Sequence, residues 1–294
     1  MIEICEVGPR DGLQNECKIV PTETKVDLIT RLIDSGIRNI EAVSFVNPKV
    51  VPPMADAEEV LKSLPKRNGV RFGGLVLSRS GLERALKTDV DFLHVVTTTS
   101  DSFNLRNVKR TVEQAVGELS LVIKEGTASG KGVAGVLGTA FGCPFEGDVP
   151  LENVLKVAER FIEAGCTEIT LADTTGMANP IQVQKIAESF FDAFGKDLSL
   201  GLHFHNTRGL GLANVLAGYQ AGVRRFDSSI AGLGGCPFAP KAVGNVCTED
   251  MINMFHGMGV NTGTDLPSVL ETAKWMETVM ERPLDGMLMK AGIA

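Results

Sequence analysis

Residues 199–209 read Ser-Leu-Gly-Leu-His-Phe-His-Asn-Thr-Arg-Gly, and the pair that could do chemistry is His203 and His205. In an extended strand successive side chains point to opposite faces, so the two imidazoles project together while Phe204 faces away. Two imidazoles side by side make half a metal site; the competing reading is a pair of hydrogen-bonded histidines lining a strand. Oxygen donors elsewhere favour the metal. Arg10 and Asp11 are neighbours, Glu41 is flanked by apolar Ile40, Ala42 and Val43, Asp173 precedes Thr174, and Asp227 precedes Ser228. Imidazole and carboxylate ligands without a thiolate cluster suit Mg2+ or Mn2+ better than structural zinc, with Asp11 as the leading carboxylate. An ion with open positions would polarise a substrate oxygen. The fixed charge of Arg10 could then stabilise an enolate oxygen.

The elements needed to bring these residues together are written in the hydrophobic pattern. Strand-like runs fall over 2–7, 39–44, 71–77, 92–97, 133–139, 168–172, 200–205 and 225–229. Helix-like runs follow them over 23–35, 56–64, 81–87, 111–128, 151–164, 181–194, 210–221 and 248–256, with a last helix over 266–281. Eight strand-then-helix units predict a single (β/α)8 TIM barrel over 1–294, the barrel proper ending near 257 and a helical segment over 258–294 closing over or beside it. A doubly wound open sheet is the alternative, but it would have fewer strands and a G-x-G-x-x-G after the first strand, which is absent. In such barrels chemistry is done at the carboxyl ends of the strands, and that is where the polar residues named above fall.

Composition narrows the partner. A net charge of -7 with no run of lysine or arginine excludes the basic patch that nucleic acid or an anionic membrane requires, which leaves a small molecule. Six cysteines without a C-x-x-C spacing predict reduced thiols. No stretch approaches the ~18 apolar residues of a membrane span, and neither terminus reads as an address, so a cytoplasmic protein is expected. His94, inside the fourth strand, and His256, on a late helix, lack ligand spacing and are expected to be structural.

Four stretches carry a resemblance: Val7-Gly8-Pro9-Arg10-Asp11-Gly12-Leu13-Gln14-Asn15-Glu16, Ser44-Phe45-Val46-Asn47-Pro48-Lys49 on to Met54, Gly142-Cys143-Pro144-Phe145-Glu146-Gly147, and Gly232-Leu233-Gly234-Gly235-Cys236-Pro237. Over essentially the whole chain the sequence resembles the 3-hydroxy-3-methylglutaryl-CoA (HMG-CoA) lyases, a family of metal-dependent barrels that work through enolates. The resemblance implies that Asp11, His203, His205 and Asn245 hold the metal and that Arg10 stabilises the enolate of acetyl-CoA. It implies that Glu41 and Asp173 order the polar network, and that Cys236 sits on a loop closing over the substrate. Gln14 would support the ligands and, with Ser44 and Thr174, border the substrate. The implied reaction is cleavage of HMG-CoA to acetyl-CoA and acetoacetate, with Asp11 or His203 as base, in a homodimer.

The chain departs from the family pattern in places. Cys17 precedes Lys18, the fourth strand exits through Thr97-Thr98-Thr99-Ser100, Asn206-Thr207-Arg208 follows His205, and Phe238 and Lys241 replace tyrosine and glycine. Arg208 and Lys241 are therefore read as extra cations for a substrate carboxylate or a CoA phosphate. Three function classes follow: a lyase of HMG-CoA or a close analogue such as citramalyl-CoA, a Claisen-type synthase, and a non-catalytic metal- or CoA-binding barrel.

Overall fold

The computed structural model describes residues 1–234 and 243–293. Eight parallel strands close into one barrel in sequence order. They are β1 (Glu3–Glu6), β2 (Asn39–Ser44), β3 (Arg71–Val76), β4 (Phe92–Thr98), β5 (Gly132–Gly138), β6 (Glu168–Asp173), β7 (Ser199–Phe204) and β8 (Arg225–Ser228). Closure is made where β1 pairs with β8, Cys5 opposite Asp227. The fold is the expected TIM barrel.

Helices α1 (Thr22–Asp34), α2 (Ala57–Ser63), α3 (Arg79–Ala85), α4 (Asp101–Val108), α5 (Val112–Ala128), α6 (Leu151–Ala164), α7 (Pro180–Phe194) and α8 (Gly211–Gln220) surround the sheet. They are followed by α9 (Thr248–Gly257), α10 (Leu266–Met280) and α11 (Met287–Ala291). Each buries one stripe. On α6, Val154, Val157, Ala158 and Phe161 face the strands at spacings of three and four residues. Caps set the starts: Thr111 and Gln114 form a reciprocal capping box on α5, and Asn179 accepts the Gln182 amide ahead of Pro180 on α7. The C-terminal helix α10 adds Val269, Leu270, Ala273 and Met276 to the same buried cluster as the barrel helices.

Helix α4 is where pattern reading failed. Residues 97–103 look like a polar loop, but Ser100 accepts the Phe103 amide and starts a helix that buries Phe103 and Asn104. The short α11 was likewise not signalled by periodicity, because five residues are too few to show one.

The barrel interior is polar at its amino-terminal end. Arg71 contacts Glu3 at 3.0 Å and Glu168 at 3.2 Å, Arg225 contacts Glu168 at 2.9 Å, and Arg71 also donates to Asn39 at 2.6 Å. Mutual pairing is what makes the buried charge of Arg225 and the half-buried charges beside it tolerable.

Candidate active site

At the carboxyl ends of the strands a cavity of about 710 Å³ opens, lined by Arg10, Asp11, Glu41, His203, His205 and Asp227 among others. Arg10 and Asp11 are presented by a tight π-helical turn, Gly8–Gly12, in which the amides of Arg10, Asp11 and Gly12 all donate to the Val7 carbonyl. Gly12 is required by close approach: a Cβ there would lie 2.9 Å from Leu233 Cβ. Glu41 faces the cavity from β2 beside a register shift between Glu41 and Val43, an irregularity of the kind that re-aims side chains near active sites.

His203 and His205 converge as the strand period requires, with their Nε2 atoms 3.3 Å apart. Their outer nitrogens are held from behind, His203 Nδ1 by Asp227 Oδ2 at 3.3 Å and His205 Nδ1 by the Val243 carbonyl at 3.2 Å. This is the arrangement that orients imidazoles toward a metal. The loop after β8 returns to pair with the end of β7, making an antiparallel bridge between His205 and Asn245. Asn245 Nδ2 donates to Asp11 Oδ2 at 2.8 Å and to the Leu233 carbonyl at 3.1 Å, while its buried Oδ1 has no partner among the described residues.

One ligand atom from each of Asp11, His203 and His205 lies within 4.8 Å of the others. With the orphaned Asn245 Oδ1 beside them, these residues fit a divalent cation: hard oxygen and borderline nitrogen donors, already oriented. Burial alone would raise the Asp11 pKa, but Arg10, the two histidines and the Asn245 amide bring it down to about 2. Burial lowers His203, and the Asp227 carboxylate outweighs that, so its pKa lies above the ordinary imidazole value. Burial and the neighbouring His203 depress His205 to about 4. The site thus holds an ionised carboxylate and a neutral imidazole ready to coordinate.

Arg10 is the hub of the charges. It donates to Asp11 Oδ1 at 2.7 Å and to Glu41 Oε2 at 2.5 Å. Burial would raise the Glu41 pKa, but Arg10 and then His94 hold it below the usual range.

Other expected residues stand elsewhere. Thr174 and Gln14 line the cavity. Asp173 does not; its carboxylate accepts the amides of Met177 and Ala178 at 2.8 and 3.0 Å, and burial raises its pKa to about 6. The Ser44 hydroxyl accepts the Val46 amide at 3.3 Å and is also off the cavity wall. Arg208 is exposed, and its guanidinium donates to the carbonyls of Thr175 and Gly176 at 2.9 and 2.7 Å; it braces the turn after β6 and is not part of the cavity wall. Cys236, Phe238 and Lys241 lie outside the described residues. His256 is the structural histidine expected, its Nε2 2.8 Å from Thr262 Oγ1. His94 is not merely that: it lines the cavity with Nδ1 2.8 Å from Glu41 Oε1.

Fold and site together define a TIM barrel with a carboxylate–imidazole cluster that fits a cation and a paired arginine at the carboxyl face. The HMGL-like family model matches residues 1–276. An (R)-citramalyl-CoA lyase of Chloroflexus aurantiacus is 40% identical, covering 99% of this chain and 95% of the relative. A hydroxymethylglutaryl-CoA lyase of Bacillus subtilis is also 40% identical, covering 96% and 94%. An HMG-CoA lyase of Acinetobacter baumannii, solved with coenzyme A and 3-methylmalate, superposes with a TM-score of 0.95 at 41% identity over 99% of this chain and 95% of that one. The chain belongs to the HMGL-like family and, within it, to the HMG-CoA lyases and their citramalyl-CoA-cleaving kin.

Proposed function

We propose that the protein is a divalent-metal-dependent carbon–carbon lyase that cleaves HMG-CoA to acetyl-CoA and acetoacetate. The observation that carries this reading is the convergence of Arg10, paired with Glu41, on the Asp11–His203–His205 cluster inside one cavity. A Mg2+ or Mn2+ ion held by Asp11, His203, His205 and Asn245 would supply Lewis acidity toward substrate oxygens. The chain's own groups do the rest. A base takes the C3 hydroxyl proton, the C2–C3 bond breaks, and its electron pair moves onto the thioester as an enolate. The two candidates for that base are Asp11, held ionised by Arg10 and both imidazoles, and His203, backed by Asp227. Arg10 meets the enolate oxygen with a rigid, always protonated fork. Cys236 is the proposed proton donor to C2 on the strength of the sequence resemblance, Lys241 is a proposed phosphate contact, and Asp173, proposed to order the polar network, also fixes the turn that closes β6. The apolar side of the cavity, with Val46, Val51, Pro52, Leu77, Phe103 and Leu119, suits the aliphatic arm of an acyl-CoA. A cytoplasmic homodimer completes the proposal.

A second reading is favoured by a specific finding: the Chloroflexus relative that matches as well as the HMG-CoA lyases is named for (R)-citramalyl-CoA. Both substrates share the C3 hydroxyl and the breaking bond and differ by one methylene before the distal carboxylate. The test is acetyl-CoA release from HMG-CoA and from both citramalyl-CoA enantiomers, with and without Mn2+ or Mg2+. Metal-dependent cleavage fastest on HMG-CoA supports the first reading, and fastest on a citramalyl-CoA the second. No cleavage of any by metal-loaded protein removes both.

A further inference from the structure

His94 is needed by neither the cation cluster nor the enolate, yet it is built into the site. It projects from β4 into the barrel and is 8% exposed. Its ring lies over Gly73, where a Cβ would come within 3.0 Å of Cε1, and Phe92 meets it edge-on with centroids 5.9 Å apart. Nδ1 is thereby held 2.8 Å from Glu41 Oε1, while Glu41 Oε2 accepts from Arg10. Glu41 is thus approached at both oxygens, by a hydrogen bond from Arg10 at Oε2 and by a close polar contact with the His94 ring at Oε1, which has no directed hydrogen-bond partner among the described residues.

That double contact matters because the last torsion of a glutamate is broad, and a carboxylate with one partner turns easily. Arg10 stands on a loop turn, and its distal hold is Glu41. A catalytic fork must be kept within roughly 0.5 Å and 10–20° of its productive geometry by groups that are themselves fixed. We propose that His94 is a positioning residue: by locking the Glu41 carboxylate it aims the Arg10 guanidinium at the reacting thioester oxygen. The kinetic part of the inference rests on the lyase reading above; the contact itself does not.

The test compares His94→Asn, His94→Gln and His94→Leu in the metal-loaded enzyme. An asparagine amide falls near the place of Nδ1, a glutamine amide near that of Nε2, and leucine has no donor. His94→Leu and His94→Gln should lose about ten- to a hundredfold in kcat with KM changed less than about threefold. His94→Asn should recover most of the loss. Equal losses in all three, a loss confined to KM, or an undiminished His94→Leu would overturn the proposal. Nitrogen-15 spectra of histidine-labelled protein decide the contact whatever the substrate is. A proton on His94 Nδ1 that is disturbed by Glu41→Gln is expected, and an unprotonated Nδ1 would sink the idea. A wild-type enzyme inert toward every thioester would count against the lyase reading, and the spectra would still decide for or against the lock.

Discussion

Asp227 shows how much of this site lies one bond behind the cluster. Its carboxylate orients His203 from Nδ1, so Asp227→Asn should weaken Mn2+ binding about 10- to 100-fold while leaving the fold intact. Calorimetric titration of the purified protein checks this, and a change below twofold would deny Asp227 the role. Arg208 makes the opposite case. Its guanidinium is engaged by two carbonyls of the β6 turn on the surface, so Arg208→Met should alter stability by no more than about 1 kcal/mol and leave KM for the cleaved thioester within about twofold. Steady-state kinetics would expose an error at once. These two residues also mark what could be read from sequence. His203 and His205 were legible because a period of two puts both rings on one face, and Asp11 because it adjoins an arginine just after a strand. The backbone contacts of Arg208 were not legible because a cation near a barrel mouth looks the same in sequence whether it meets substrate or backbone. His94 reads as merely structural because its partner, Glu41, is 53 positions away in sequence and only strand register brings them together.

At the scale of elements, strand and helix order was legible almost throughout, since parallel strands covered on both faces read as apolar runs between amphipathic stripes. Boundaries moved by a residue or two because caps decide them. Helix α4 escaped because its start is a hydroxyl bond from Ser100 and its buried face is only Phe103 and Asn104. The helix α10 was visible, but what it does was not. Met276 is fully buried among barrel helices, so Met276→Ala should cost about 2–5 kcal/mol, read as a lower urea midpoint at unchanged slope. A loss under 0.5 kcal/mol, far below that of a buried large-to-small change, would mean that α10 packs loosely on the barrel.

For the whole molecule, stability should fall with rising pH through buried acids of raised pKa, Asp173, Glu6 and above all Glu249. Glu249, in the first turn of α9, accepts the Ala231 amide at 3.0 Å through one oxygen, and its other oxygen has no partner among the described residues; burial lifts its pKa from 4.5 to about 8. A raised pKa means that the folded state keeps the proton longer. Its contribution is therefore whole below pH 4.5 and is lost as pH rises through about 8, every tenfold gain in proton affinity on folding being worth roughly 1.4 kcal/mol. Glu249→Gln should flatten the decline in unfolding free energy between pH 5 and 8, and an unaltered slope would show that the group is already ionised in the fold. The ion pairs at the amino-terminal end of the barrel carry a different consequence. Arg71, Arg225, Glu3 and Glu168 leave only about 10 Å³ of space beneath the cavity, too little for a passage. Among the described residues the reaction chamber is a cul-de-sac. For the proposed reaction, with the acyl end of the thioester entering first and its nucleotide outside, acetyl-CoA should depart first and the keto acid last, so that the keto acid should be the product that competes with incoming substrate.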